Sequence, residues 1–240
     1  DNQLRRLAEA NPDLFIVWGG DGTLRSALGT VGQATPNLLL LPGGTMNMLT
    51  KSIHGDKPWD TILKEVLASP KRKTIPAGKA NNEAFYCAML AGAPARFAEA
   101  RESLRRGELV KAATEARAAL DTLGTLQLEA RYRDGYTFER ADLPPTSIIG
   151  VLVGPLARDY EMEVAALEAP TAGGALNVIW ASFVSDWRSA PGITIVPARS
   201  LVIETEDGEI PVIVDGEAIE AGNSVRVSYV KEAAQCLTAG

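Results

Sequence analysis

The chain has 240 residues, 46% of them apolar and 22% charged, an ordinary globular composition with room for one large or two small domains. Its net charge is −6, so there is no overall basic footprint for nucleic acid, and no nucleic-acid partner is expected. No apolar stretch approaches the roughly 20 residues of a membrane span, and no signal peptide is visible.

Asn2–Ala10 reads as a short amphipathic helix ended by Asn11-Pro12. Leu14–Trp18 is an apolar run that ends in Gly19-Gly20-Asp21-Gly22-Thr23, and a helical pattern continues to about Val31. An apolar run bounded by glycines predicts a buried parallel strand. The glycines let backbone approach a ligand closely, and the free N–H groups of the following helix start attract phosphate. Thr23 or Asp21 is expected to cap that helix. The arrangement recurs: Leu38–Leu41 runs into Pro42-Gly43-Gly44-Thr45-Met46-Asn47, with a short helix over roughly Met46–Lys51. Two such units place two anion-binding loops on one carboxyl edge of a parallel sheet, where open α/β sheets bind ligands. Another helix opens at Pro58-Trp59-Asp60 and stops at Pro70.

From Lys71 the pattern changes. Thr74–Gly78 and Ala84–Leu90 read as strands joined near Asn81-Asn82. Ala95–Leu123 reads as a long helix whose interleaved arginines and glutamates form a solvated face, with contact to anionic lipid headgroups as the other reading. Further strands are expected at Gln127–Tyr132, Tyr136–Arg140, Ser147–Val153, Ala175–Ala181, Leu201–Glu204, Pro211–Val214 and Val225–Val230, with hairpin turns at Asp134-Gly135 and Asp207-Gly208. Many short strands with close turns predict an antiparallel sandwich or barrel. The expected fold class is therefore α/β plus β: a three-layer α/β domain over 1–76, then a β-sandwich-like domain over 77–240 whose last residues pack back on the first. Cys87 and Cys236 match no metal spacing and read as buried free thiols.

The glycine loops lack the Gly-Lys-Ser/Thr of a Walker loop, and Arg25 stands where a dinucleotide fingerprint needs glycine. Arg25 reads equally as a phosphate-neutralising group or as an exposed helix residue. On spacing alone Asp21 is a helix cap, and Asp215-Gly216-Glu217 is an ordinary turn. A single histidine, His54, supports neither a Ser-His-Asp hydrolase nor a histidine zinc site.

Taken together, Gly19-Gly20-Asp21-Gly22-Thr23, Leu41-Pro42-Gly43-Gly44-Thr45-Met46-Asn47 and Val214-Asp215-Gly216-Glu217 resemble the diacylglycerol kinase catalytic domain family. That family includes sphingosine, ceramide and bacterial lipid kinases, in a superfamily shared with NAD kinases and phosphofructokinases. The resemblance implies an ATP-dependent, Mg²⁺-requiring lipid kinase that phosphorylates a lipid hydroxyl, diacylglycerol by analogy. It implies nucleotide contacts from Gly19, Gly20, Asp21, Gly22, Thr23, Gly43, Gly44, Thr45, Asn47 and Glu217. It makes Asp215 the first candidate catalytic base and Asp21 the second, with Asp21 and Glu217 as metal ligands. It places the protein in the cytoplasm, peripheral to the inner face of the membrane where its lipid substrate lies, and leaves a homodimer open.

Three departures from the family pattern stand out. Met48 replaces an acidic residue found in many members. Thr171–Asn177 lacks the acids of a structural Mg²⁺ site, so no structural metal is expected there. The family's first strand and its glycine loop have no counterpart between Asp1 and Leu14 and are expected to precede Asp1. The alternatives are a soluble-metabolite kinase such as NAD kinase, whose Thr-Pro-Thr-Gly-Ser-type segment is absent, and a non-catalytic nucleotide- or lipid-binding module.

Overall fold

The computed structural model describes residues 2–35, 37–92, 126–134, 140–157, 160–167 and 192–240, with isolated positions 95, 108, 110, 111, 114 and 188. Most of the expected helix over 95–123, most of the strand over 136–140, Gly135, the segment 171–177 and the strand over 175–181 lie outside the described residues.

The N-terminal part follows the predicted order: α1 (Asn2–Glu9), β1 (Phe15–Gly19), α2 (Asp21–Val31), β2 (Leu38–Pro42), α3 (Met48–His54) and α4 (Trp59–Ala68). β1 and β2 pair in parallel, with Phe15 opposite Leu38 and Gly19 opposite Pro42. Alternation along β2 builds the layers. Leu38 and Leu40 pack with Leu24, Leu28, Leu49 and Ile53 of α2 and α3. Leu39 and Leu41 face Ile62 and Val66 of α4. β2 is thus buried on both faces, which is why its sequence is an unbroken run of leucines.

The rest is strand: β3 (Pro70–Ala80), β4 (Glu83–Phe85), β5 (Ala88–Gly92), β6 (Glu129–Arg133), β7 (Arg140–Asp142), β8 (Ile148–Val153), β9 (Met162–Leu167), β10 (Ile193–Pro197), β11 (Ser200–Glu204), β12 (Val212–Val214), β13 (Glu217–Ile219) and β14 (Ser224–Ala239). They form two six-stranded antiparallel sheets, β10-β9-β8-β5-β12-β13 and β4-β3-β14-β11-β6-β7. Residues of both sheets, among them Met89, Ile149, Val151, Leu201, Ile203 and Val227, share one core. The β-rich part is therefore a sandwich, and the barrel alternative falls away.

β14 is longer than the predicted strand and joins the two parts. Its register against β3 shifts between Val230 and Ala234, and Ala234–Ala239 then pairs with Pro70–Ile75. Beyond the shift, Ala234 and Cys236 enter the core with Leu38 and Leu40, and Leu237 packs against Leu39 and Leu41. The boundary expected at 76/77 falls inside the continuous strand β3.

Other differences have local causes. The expected strand Ala84–Leu90 is two strands, because the chain leaves one sheet at Phe85 and enters the other at Ala88. Asp207-Gly208 is not a hairpin: β11 and β12 lie in different sheets, and Asp207 instead accepts the N–H of Gln127 at 3.0 Å. β9 and β10 are absent from the sequence-based expectation. Met162–Leu167 contains two alanines and Glu163 at its second position, yet every residue of it is buried, so it shows no period-two signal.

Candidate functional site

Each parallel strand ends in a glycine loop, and the two loops touch through their backbones. Gly43 N–H donates to the Gly19 carbonyl at 2.8 Å. A Cβ on Gly44 would come within 2.7 Å of the Gly20 Cα, and one on Gly43 within 3.1 Å of the Gly19 Cα. Side chains larger than hydrogen at these two positions would push the loops apart, so Gly43 and Gly44 are required by the first loop.

Asp21 ties the loops together. Its Oδ1 accepts the backbone N–H of Leu49 at 2.9 Å, in the first turn of α3. The expected cap on its own helix is not made: Gly20 occupies the N-cap of α2 without a side-chain hydrogen bond, and neither Asp21 nor Thr23 supplies one. The open N–H groups at the start of α2 therefore remain available to an anion. Thr23, Gly43, Gly44 and Thr45 are exposed. Asn47 sits at φ 51° and uses its side chain inside its own loop, accepting from Gly44 N–H and donating to Gly44 O, both at 2.8 Å. Asn47 thereby braces its own loop.

The late motif comes to the first loop. Asp215-Gly216 turns β12 into β13 with both residues at positive φ, 48° and 89°. Glu217 Oε2 pairs with Arg25 Nη1 at 2.7 Å, and Arg25 also reaches Glu83 at 2.8 Å and the Ala84 carbonyl at 2.8 Å. Glu217 Oε1 lies over Gly22, where an added Cβ would approach it to 2.5 Å. Arg25 is therefore neither a free phosphate ligand nor an exposed helix residue. It is a largely buried bracket that holds Glu217 against the loop.

Asp215 turns the other way. Its carboxylate accepts the N–H groups of Tyr86 at 2.7 Å and of Cys87 and Ala88 at 2.9 Å. Those N–H groups belong to the crossing between β4 and β5, and the carboxylate satisfies donors that no strand partner reaches. Burial pushes the Asp215 carboxyl above the usual carboxylate range, against the pull of the three N–H groups and Arg25. Burial also raises the Cys87 thiol well above its ordinary value, with the charges of Asp215 and Asp21 adding to the rise. Both cysteines are free and buried, as the composition predicted.

The expected metal ligands retain capacity for a cation carried by a phosphate group. Among the described residues, Asp21 Oδ2 and Glu217 Oε1 have no hydrogen-bond partner, and no group of three His, Cys, Asp or Glu side chains converges as a metal cage. Two carboxylates plus phosphate oxygens fit the way Mg²⁺ is commonly held.

The sequence pattern does not announce an aromatic pair, because Trp18 and Trp59 lie in separate elements. Trp18 donates to the Pro42 carbonyl at 2.8 Å, and its ring lies 5.5 Å from that of Trp59. Beside them a cavity of about 420 Å³ is lined by Pro42, Asn47, Thr50, Lys51, Lys57 and Trp59. Both tryptophans are exposed.

A three-layer α/β unit with paired glycine loops at its sheet edge, capped by an antiparallel sandwich, defines a protein of the diacylglycerol kinase and NAD kinase fold. Residues 1–75 match the model of the diacylglycerol kinase catalytic domain, so the resemblance carried by the glycine loops holds. A protein of Streptococcus pneumoniae serotype 4 (strain ATCC BAA-334 / TIGR4) named "Putative lipid kinase" is 33% identical over 75 residues, which span 30% of this chain and 25% of that relative. The crystal structure of a "putative diacylglycerol kinase" from Bacillus anthracis str. Sterne superposes with a TM-score of 0.69 at 19% identity, covering 99% of this chain and 82% of that one. The structure of yeast NADH kinase complexed with NADH superposes with a TM-score of 0.52 at 13% identity, covering 95% and 62%.

Proposed function

We propose that the chain is an ATP-dependent lipid kinase that transfers the γ-phosphoryl group to a lipid hydroxyl, with diacylglycerol as the acceptor. The observation that carries this reading is the backbone pairing of the two glycine loops, Gly43 N–H on Gly19 O, with the open start of α2 beside it. Phosphoryl transfer asks chiefly for positioning and for donors aimed at phosphate oxygens. The N–H groups at the start of α2 and the exposed hydroxyls of Thr23 and Thr45 supply such donors. Mg²⁺ travelling with the nucleotide would neutralise phosphate charge, held by Glu217 directly and by Asp21 only through water, which leaves Asp21 Oδ2 for the acceptor.

Asp21 is the better candidate to receive the acceptor's proton. Its Oδ2 is open at the loop edge, whereas both oxygens of Asp215 accept backbone N–H groups in a half-buried position. As the lipid oxygen bonds to the γ-phosphorus, its proton passes to Asp21 and the bond to the β–γ bridging oxygen breaks, releasing ADP. Asp215 keeps the β4–β5 crossing in shape. Peripheral contact with the cytoplasmic face of a membrane follows from the acceptor. Among the described residues no helix is long and apolar enough to cross one.

Radiolabelled ATP supplied with diacylglycerol in mixed micelles, and in parallel with NAD in buffer, tests this reading. Label in the lipid phase supports it. Label in NAD alone selects the soluble-metabolite kinase, and nucleotide binding without transfer to either acceptor selects a binding module.

A further inference from the structure

The outer face of the sheet β4-β3-β14-β11-β6-β7 holds a cluster that the glycine-loop site does not use. Along β6, β11 and β14, Ala130, Leu201, Ile203, Val225 and Val227 point into the sandwich core. The alternate positions share the opposite face. There Arg133 stands directly opposite Arg140 on β7 and opposite Ser200 on β11. Arg131 stands opposite Val202, which stands opposite Arg226 on β14. These side chains line a cavity of about 420 Å³.

Four arginines and one acid, Glu204, line this cavity, and Asp142 on the same face stands opposite Arg131. Arg131 pairs with Glu204, while Arg133, Arg140 and Arg226 make no side-chain ion pair among the described residues. Like charges directly opposite across two strands destabilise a sheet. General basicity does not explain the cluster, since the chain as a whole carries −6. A dianion seated between the arginines would remove the repulsion, and guanidinium forks match phosphate oxygens in geometry and charge.

We propose that this concavity binds the dianion of a phosphomonoester, with Arg133, Arg140 and Arg226 as its ligands and the Ser200 hydroxyl as a neutral donor. The phosphomonoester group can come from a lipid headgroup or from a soluble phosphate. The site lies on the sandwich, away from the glycine loops, so it stands whether or not the chain is a kinase.

The test uses the full chain and three variants: R133Q/R140Q, R133K/R140K and R226Q. Titration with inorganic phosphate at low salt, followed by calorimetry and thermal melting, is expected to detect binding by the wild type. R133Q/R140Q should weaken that binding by about tenfold or more, equivalent to about one charge-assisted contact. In the absence of phosphate it should melt no lower than the wild type, since a repulsive pair is gone. R133K/R140K should restore part of the affinity. If R133Q/R140Q fails to fold, R226Q decides: severalfold weaker phosphate binding supports the site, and an unchanged titration overturns it. Equal titration curves for wild type and R133Q/R140Q also overturn it, as does a wild type that binds no phosphate. Vesicles of phosphatidylcholine containing either phosphatidic acid or an equal charge of phosphatidylglycerol separate the two sources. A preference for phosphatidic acid that R133Q/R140Q abolishes identifies a lipid source, and phosphate binding without that preference identifies a soluble one.

Discussion

Asp21, in the first glycine loop, accepts the backbone N–H of Leu49, in the helix that follows the second loop. One carboxylate oxygen thus fixes the spacing of the two loops while the other stays open at their edge. Replacing Asp21 with Asn retains an oxygen for Leu49 and removes the charge. D21N is therefore expected to keep its melting temperature and lose about 10²-fold or more in phosphoryl-transfer rate. D21A loses the cap on α3 as well, and its stability should fall by about 1 kcal/mol in a denaturant titration.

The two facing glycines respond unequally to a methyl group. A Cβ on Gly20 finds its nearest neighbour at 3.5 Å, ordinary contact, whereas one on Gly44 comes within 2.7 Å of backbone. G20A should fold with little change. G44A should be destabilised by about 1–3 kcal/mol and should bind nucleotide more weakly, because the loops must part. Paired denaturation curves and nucleotide titrations check this difference.

Removing the Asp215 carboxylate strands three partly buried N–H groups on Tyr86, Cys87 and Ala88. D215A is expected to lose about 3–5 kcal/mol, comparable to breaking a buried charged network. Amide hydrogen exchange should localise the loosening to residues 86–88. If Asp215 served only as a base, D215A would instead lose turnover with stability intact.

His54 gives the fold a pH dependence. Burial lowers its pKa from 6.5 to about 4; the charges of Lys73 and Lys57 work in the same direction, while the Leu40 carbonyl and Glu65 oppose it. Between those values the unfolded chain binds the proton and the folded chain does not. Stability contributed by neutral His54 is therefore present above pH 6.5 and is lost as pH falls toward about 4. H54Q should flatten that part of a melting-temperature profile.

The α/β half was legible because its strands and helices carry unambiguous local signals. Leu38–Leu41 is a run with no polar residue, and each strand ends in glycines. The site was legible as motifs, but not as contacts. Arg25 looked like any helix arginine until Glu217, 192 positions later, came to meet it. Asp215 carries the motif expected of a base, and its carboxylate also accepts three backbone N–H groups, which no side-chain pattern announces. The sheet crossing at Tyr86-Cys87 was hidden for a related reason: an apolar run that leaves one sheet for another keeps the same composition throughout. β9 was lost because a strand buried on both faces has no alternation to read.

The most direct test of the paired-loop account is transfer of label from γ-labelled ATP to diacylglycerol in mixed micelles, measured side by side for wild type and D21N. The account predicts labelled lipid from the wild type and about a hundredfold less from D21N at matched folded protein and saturating ATP. Equal rates from the two proteins, or labelled lipid from neither, would contradict it.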